Sequence, residues 1–124
     1  MKKTIRTILV LLLLSLAACN DDKEEIFTSA TINLEAADSI KIQKIQGTAK
    51  AVNINTRQIT TNSQFDNLSS SMKLLRGAYQ ITINGYVVYL DNKSTLHTHA
   101  FIAYTDYCEF KDIESETKLK IVLI

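Results

Sequence analysis

The stretch Ala78-Tyr79-Gln80-Ile81-Thr82-Ile83 decides the fold class. Tyr79, Ile81 and Ile83 fall on one side of an extended chain, and Gln80 and Thr82 on the other. This is the period of two that a half-buried strand requires. The pattern continues on both sides. Upstream, Thr31-Ile32-Asn33-Leu34 alternates, Ile40 and Ile42 follow, and Ile45 to Ile54 carries small residues at Gly47, Ala49 and Ala51. Asn53-Ile54-Asn55-Thr56 is predicted to turn, because Asn tolerates left-handed backbone angles, with Arg57 to Thr61 returning as a strand. The Ser- and Asn-rich stretch 62–71 reads as a loop held by Phe65 and Leu68. Ser69 to Arg76, with Met72, Leu74 and Leu75, offers at most one amphipathic helical turn. Downstream, Gly85 marks a turn or bulge. Tyr86 to Leu90 resumes extended structure, Asp91 to Ser94 is a loop, and Ala100 to Tyr104 and Thr117 to Leu123 are further strands. Val122 to Ile124 should be paired in a sheet, since apolar surface left in water forgoes roughly 25 cal/mol per Å². About seven short strands without long helical periodicity predict an all-β chain, a single β-sandwich.

The N-terminal segment follows different rules. Met1-Lys2-Lys3-Thr4-Ile5-Arg6 is a basic n-region, and Ile8 to Leu14 is an unbroken apolar run continued by Leu16, Ala17 and Ala18. That run is shorter than the ~18 apolar residues a spanning helix needs, and it has the grammar of a signal peptide. Leu16-Ala17-Ala18-Cys19 resembles the lipobox of bacterial lipoproteins at all four positions. The resemblance implies cleavage before Cys19, a diacylglycerol thioether on its sulfur and N-acylation (palmitate-type chains). It also implies attachment to a membrane through lipid alone, since two or more chains hold stably where one does not. The expected organisation is a signal peptide over 1–18, a lipidated and acidic tether over 19–27 and a β-sandwich over 28–124.

Asn20-Asp21-Asp22-Lys23-Glu24-Glu25 is polar and acidic, the composition of a spacer. It resembles the surface-export signal of lipoproteins from Bacteroidetes-type bacteria. Asn20, rather than Asp, after the cysteine implies an outer-membrane address, at the cell surface or the periplasmic face. Removal of Lys2, Lys3 and Arg6 with the leader takes the 14 basic residues to 11 against 13 acidic ones, near −2. No basic surplus remains for nucleic acid. With Cys19 lipidated, Cys108 has no intramolecular partner and is expected as a small buried apolar side chain, the alternative being an exposed, reactive or intermolecular thiol.

Ile45 to Thr61 and then Leu74-Leu75-Arg76-Gly77-Ala78-Tyr79-Gln80-Ile81-Thr82-Ile83 resemble the prealbumin-like (transthyretin-like, carboxypeptidase regulatory-like) sandwich modules. The shared features are a strand, an Asn-Thr turn, a Thr-rich return strand, a loop and Leu-x-x-Gly-x-Tyr opening the next strand. The resemblance spans about residues 30–90 and implies that Leu74 plugs the sandwich end, Gly77 turns the chain and Tyr79 enters the core. Arg76 stands where Pro is common, and Asn62-Ser63-Gln64-Phe65 replaces the usual Asp-x-x-Gly turn. Members of the family serve as adhesion, scaffold or accessory modules, so the resemblance implies a fold more than an activity.

Chemistry-bearing residues are sparse. His97 and His99 are two apart, so on a strand both imidazoles share a side and are a candidate metal pair, with a third ligand from Asp106, Cys108 or Glu109. The same histidines beside Cys108 form a weaker nucleophile–base candidate. Glu114 and Glu116 read as one solvent face. Tyr86, Tyr89, Tyr104 and Tyr107 are candidates for a shallow glycan-binding face. Asp38-Ser39-Ile40 matches the short pattern of envelope O-glycosylation. With three scattered glycines there is no phosphate loop, and no cofactor is expected beyond the lipid on Cys19. The reading is a non-enzymatic, lipid-anchored structural or interaction module. The alternatives are a glycan-binding accessory of a polysaccharide-uptake system and a weak metal-binding envelope protein.

Overall fold

A computed structural model describes residues 26–124, all of them in strands, turns or irregular connections. The lipobox residues Leu16, Ala17, Ala18 and Cys19, the leader and the tether to residue 25 lie outside the described residues. In chain order the strands are β1 (Phe27–Glu35), β2 (Lys41–Asn53), β3 (Ile59–Asn62), β4 (Ser69–Leu75), β5 (Gly77–Leu90), β6 (Leu96–Phe110), β7 (Glu114–Lys120) and β8 (Val122–Leu123). They form a three-stranded sheet, β4-β1-β7, and a five-stranded sheet, β3-β2-β5-β6-β8. The chain is an all-β sandwich. Phe27, assigned from sequence to the tether, already pairs with Leu75 in β1.

The inner faces close on each other as alternation dictates. Ala30, Ile32 and Leu34 of β1 with Met72 and Leu74 of β4 meet Ala49 and Ala51 of β2, Tyr79, Ile81, Ile83 and Val87 of β5, and Phe101, Ala103 and Phe110 of β6. The Tyr79 hydroxyl donates to the Leu75 carbonyl at 2.6 Å, so its polar tip is satisfied while its ring is buried beside Phe110. Buried polar groups are paired as burial requires: Thr28 donates to the Ser115 hydroxyl at 3.0 Å and Asn62 to the Ser70 hydroxyl at 3.0 Å.

Three sequence expectations need correction. Ser69 to Leu75 is neither loop nor helical turn but β4. Ser70, Met72 and Leu74 point inward from it, and small hydroxyl residues hid the alternation. Gly85 makes no turn: β5 runs straight through it, with Gly85 opposite Gly47 of β2. A Cβ on Gly85 would lie 2.6 Å from the Gly47 Cα, so both glycines serve close approach of two backbones. The strand at the C-terminal end is broken at Ile121: β7 pairs with β1 in parallel, whereas β8 pairs with β6 in the other sheet. Val122 and Ile124 are paired there yet remain exposed.

The turn after Asn53 forms as read, with a difference in detail. The Asn53 side-chain oxygen accepts from the Asn55 and Thr56 amides, both at 2.9 Å. The left-handed angle, however, falls on Arg57 (φ 65). Phe65 and Leu68 pack against the core from the loop between β3 and β4. Gly77, at φ +153, starts β5 where the chain crosses between sheets.

The sandwich has two poles. One gathers the start of β1, the Asn53–Gln58 turn, the start of β5 and the Lys111–Ile113 connection. The other gathers the end of β1, the start of β2 and the Asp91–Thr95 loop. The 14 residues of β5 span the distance between them, on the order of 45 Å at about 3.4 Å per residue.

Candidate functional site

The outer face of the five-stranded sheet is covered by nothing among the described residues. Register places every second residue of β2, β5 and β6 on it, with a bulge at Gln43 shifting the alternation in β2 by one residue. Lys41, Lys44, Gln46, Thr48 and Lys50 of β2 lie beside Leu90, Val88, Tyr86, Asn84 and Thr82 of β5. These in turn lie beside Leu96, Thr98, Ala100, Ile102 and Tyr104 of β6. Tyr86 is 60% exposed, Tyr104 61% and Tyr107 57%, whereas Tyr89 is only 7% exposed.

That difference has a simple cause. Tyr86 and Tyr89 are three residues apart on an uninterrupted stretch of β5, and an odd spacing on a strand means opposite faces. Tyr89 therefore points inward and drops out of the expected glycan face. Tyr104 and Tyr107 have the same odd spacing on β6. There a bulge intervenes, since Tyr79 pairs with Cys108 but Ile81 with Thr105. The extra residue on β6 returns Tyr107 to the outer face. Three of the four tyrosines are thus brought together, Tyr86 and Tyr104 separated by roughly 14 Å along the sheet.

Beyond Tyr104 the face changes character. The Tyr107 hydroxyl donates to the Glu109 carboxylate, which also takes the Lys111 ammonium at 2.7 Å. Lys111, and then Tyr107, hold the Glu109 carboxyl below its usual range, and the same carboxylate raises the Tyr107 phenol and the Lys111 ammonium. These three side chains line a shallow depression of about 370 Å³ with Ile54, Asn55, Gly77 and Ala78.

The histidines lie at the other pole, on the inner face of β6, opposite Tyr89 and Val87. The Tyr89 ring lies 5.3 Å from that of His97 and 5.9 Å from that of His99, with 6.4 Å between the imidazoles. His97 Nε2 pairs with Asp91 Oδ2 at 2.8 Å. This contact, then the Thr95 and Lys93 amides, hold the Asp91 carboxyl below its ordinary value. Sequence reasoning missed Asp91, although a loop acid before a strand that begins Leu-His was the available signal. Asp106, Cys108 and Glu109, the expected third ligands, sit near the opposite end of β6, on the order of 24–40 Å from the histidines. That separation also dissolves the Cys108–His pair. Among the described residues no three His, Cys, Asp or Glu side chains converge closely enough to hold a metal ion. Cys108 points inward, half-buried against the core, and burial pushes its thiol up to about 11. Glu114 and Glu116 flank buried Ser115 and face solvent together.

No family model matches the chain and no curated protein is similar to it. Among solved structures, a DUF4876 family protein from Bacteroides thetaiotaomicron VPI-5482 is similar at a TM-score of 0.49 and 13% identity. The alignment covers 78% of this chain and 24% of that one, so this chain spans about a quarter of that protein's length.

Chemically, the exposed groups can hydrogen-bond, stack and attract anions.

Proposed function

We propose that this chain is an outer-membrane lipoprotein of a Bacteroidetes-type envelope, held by acyl chains on Cys19. Its sandwich acts as a non-enzymatic interaction module at the cell surface or the periplasmic face. The observation that carries the interaction role is the uncovered face bearing Tyr86, Tyr104 and Tyr107 at more than half exposure. Aromatic side chains are costly to leave in water and are favoured where a partner covers them. The lipobox supports the anchor. The prealbumin-like reading of the body is supported by Leu74 and Tyr79, which both enter the core as the Leu-x-x-Gly-x-Tyr pattern implies.

Fractionation of native cells fed a clickable palmitate analogue tests the anchor. The wild-type chain is expected in the membrane fraction carrying label, and Cys19→Ser is expected to be soluble and unlabelled. Equal fractionation of the two would overturn the proposal.

A second reading is glycan binding, with acidic glycans favoured. Lys41, Lys44 and Lys50 run down β2 beside the Tyr86–Tyr104 strip, and no acid stands on the same rows of β2, β5 and β6. Binding on a glycan array that is unchanged by Tyr86→Ala with Tyr104→Ala would remove its basis.

A further inference from the structure

The geometry points to a second contact with the membrane, made by the protein itself: the pole at which β1 begins rests on the lipid surface through Ile26 and Ile113. This inference relies on the anchor proposed for Cys19. From Cys19 to Ile26 the chain advances seven residues, at most about 25 Å when fully extended. The far pole, with the Asp91–Thr95 loop and His97, stands on the order of 45 Å away. An anchor on Cys19 therefore delivers this pole to the bilayer first.

The side chains at that pole suit a bilayer interface. Ile26 is 52% exposed and Ile113 66% exposed. They lie on adjacent strand lines: the Ile26 carbonyl accepts from the Arg76 amide, and the Ile113 carbonyl accepts from the Ser29 amide. Their backbones are thereby fixed while their side chains stay uncovered. An isoleucine kept in water on a fixed backbone gives up the burial it would gain among acyl chains. Tyr107 is on the rim of the same pole, and an amphipathic ring is at home at headgroup depth. Arg57, Arg76 and Lys111 are interleaved there with Glu109, Asp112 and Glu114, so the contact is driven by apolar side chains and is indifferent to lipid charge. On the far half of the sandwich Leu96 is exposed at the pole, and Val122 and Ile124 are exposed on the β8 edge beside Ile102 and Ala100, Ile124 lying roughly 14 Å back from Leu96 along β6. The other exposed side chains there include Asp38, Lys41, Lys93 and His99.

The chain has no tryptophan, so one introduced indole reports alone. The full chain with Ile113→Trp, or with Leu96→Trp at the far pole, is expressed in a lipoprotein-processing host. Each is reconstituted in phosphatidylcholine vesicles containing brominated lipid. Both are expected to float with the vesicles. The indole of the Ile113→Trp variant is expected to be blue-shifted and quenched several-fold more than that of Leu96→Trp, equally at 0.1 M and 1 M salt. Flotation with equal quenching in the two variants overturns the contact and leaves the anchor standing. Failure to float removes the anchor and this contact with it. If Ile113→Trp fails to fold by circular dichroism, Ile26→Trp serves in its place. Adding Ile113→Asp to Ile26→Trp is then expected to abolish the extra quenching, and quenching that persists would overturn the proposal.

Discussion

Gly85→Ala is the most informative single change in the body of the sandwich. Gly85 stands opposite Gly47 in the middle of the β2–β5 ladder. An added methyl would meet the Gly47 Cα at 2.6 Å and the Gln46 carbonyl carbon at 2.9 Å, both backbone atoms. Ordinary contact needs close to an ångström more, and neither strand can give it without displacing neighbours in a close-packed core. Two effects compete. Replacing glycine lowers the entropy of the unfolded chain and, where the backbone allows it, stabilises by about 0.4–1 kcal/mol. Forcing extra volume into a packed site costs about 1–3 kcal/mol, and backbone obstacles belong at the upper end. The net expectation is a loss of roughly 2 kcal/mol, or a fall in Tm of roughly 8–16 °C for a domain of this size. Gly47→Ala meets the Asn84 carbonyl oxygen at 2.5 Å and should cost a similar amount. Asn84→Ala, exposed on the outer face, should change stability by no more than ~0.5 kcal/mol. Urea and thermal unfolding of the three variants measure this directly. Stability of Gly85→Ala equal to or above wild type would refute the close-approach argument and revive a turn or bulge at this position.

In an NMR titration Asp91 should ionise below the ordinary carboxylate range and move back toward it in His97→Ala. Because its folded value is depressed, the small stabilisation from this pair is present above the unfolded carboxylate value and is lost as pH falls through the folded one. Cys108, with its thiol at about 11, should react with iodoacetamide at pH 8 much more slowly in the folded protein than in urea. Equal rates would mean that the thiol is exposed. Tyr79→Phe, which strands the Leu75 carbonyl that now accepts at 2.6 Å, should cost about 1–2 kcal/mol in urea unfolding.

Much of this architecture is legible in the residues wherever burial alternates with apolar side chains, as in Tyr79–Ile83 and Thr31–Leu34. The pattern fails where inward positions are polar or small. β4 escapes because Ser70 occupies an inward position and meets its burial cost through Asn62, a partner in another strand. The length of β5 escapes because a glycine usually punctuates, and here it permits contact between strands. The candidate face shows a subtler limit. Period two alone separates Tyr86 from Tyr89, a distinction available in the sequence. By the same rule it would separate Tyr104 from Tyr107, and only the bulge on β6 reverses that. The histidine pair is legible as a pair, but its neighbour Asp91 is set by the loop between β5 and β6, and its distance from Cys108 by the full length of β6.

Intact mass spectrometry of the protein purified from its native membrane tests the central claim most directly. The mature chain is expected to begin at Cys19 and to carry the mass of a diacylglyceryl group, with or without a further acyl chain on the amine. A chain that retains residues 1–18, or one that begins at Cys19 with a free thiol, contradicts it.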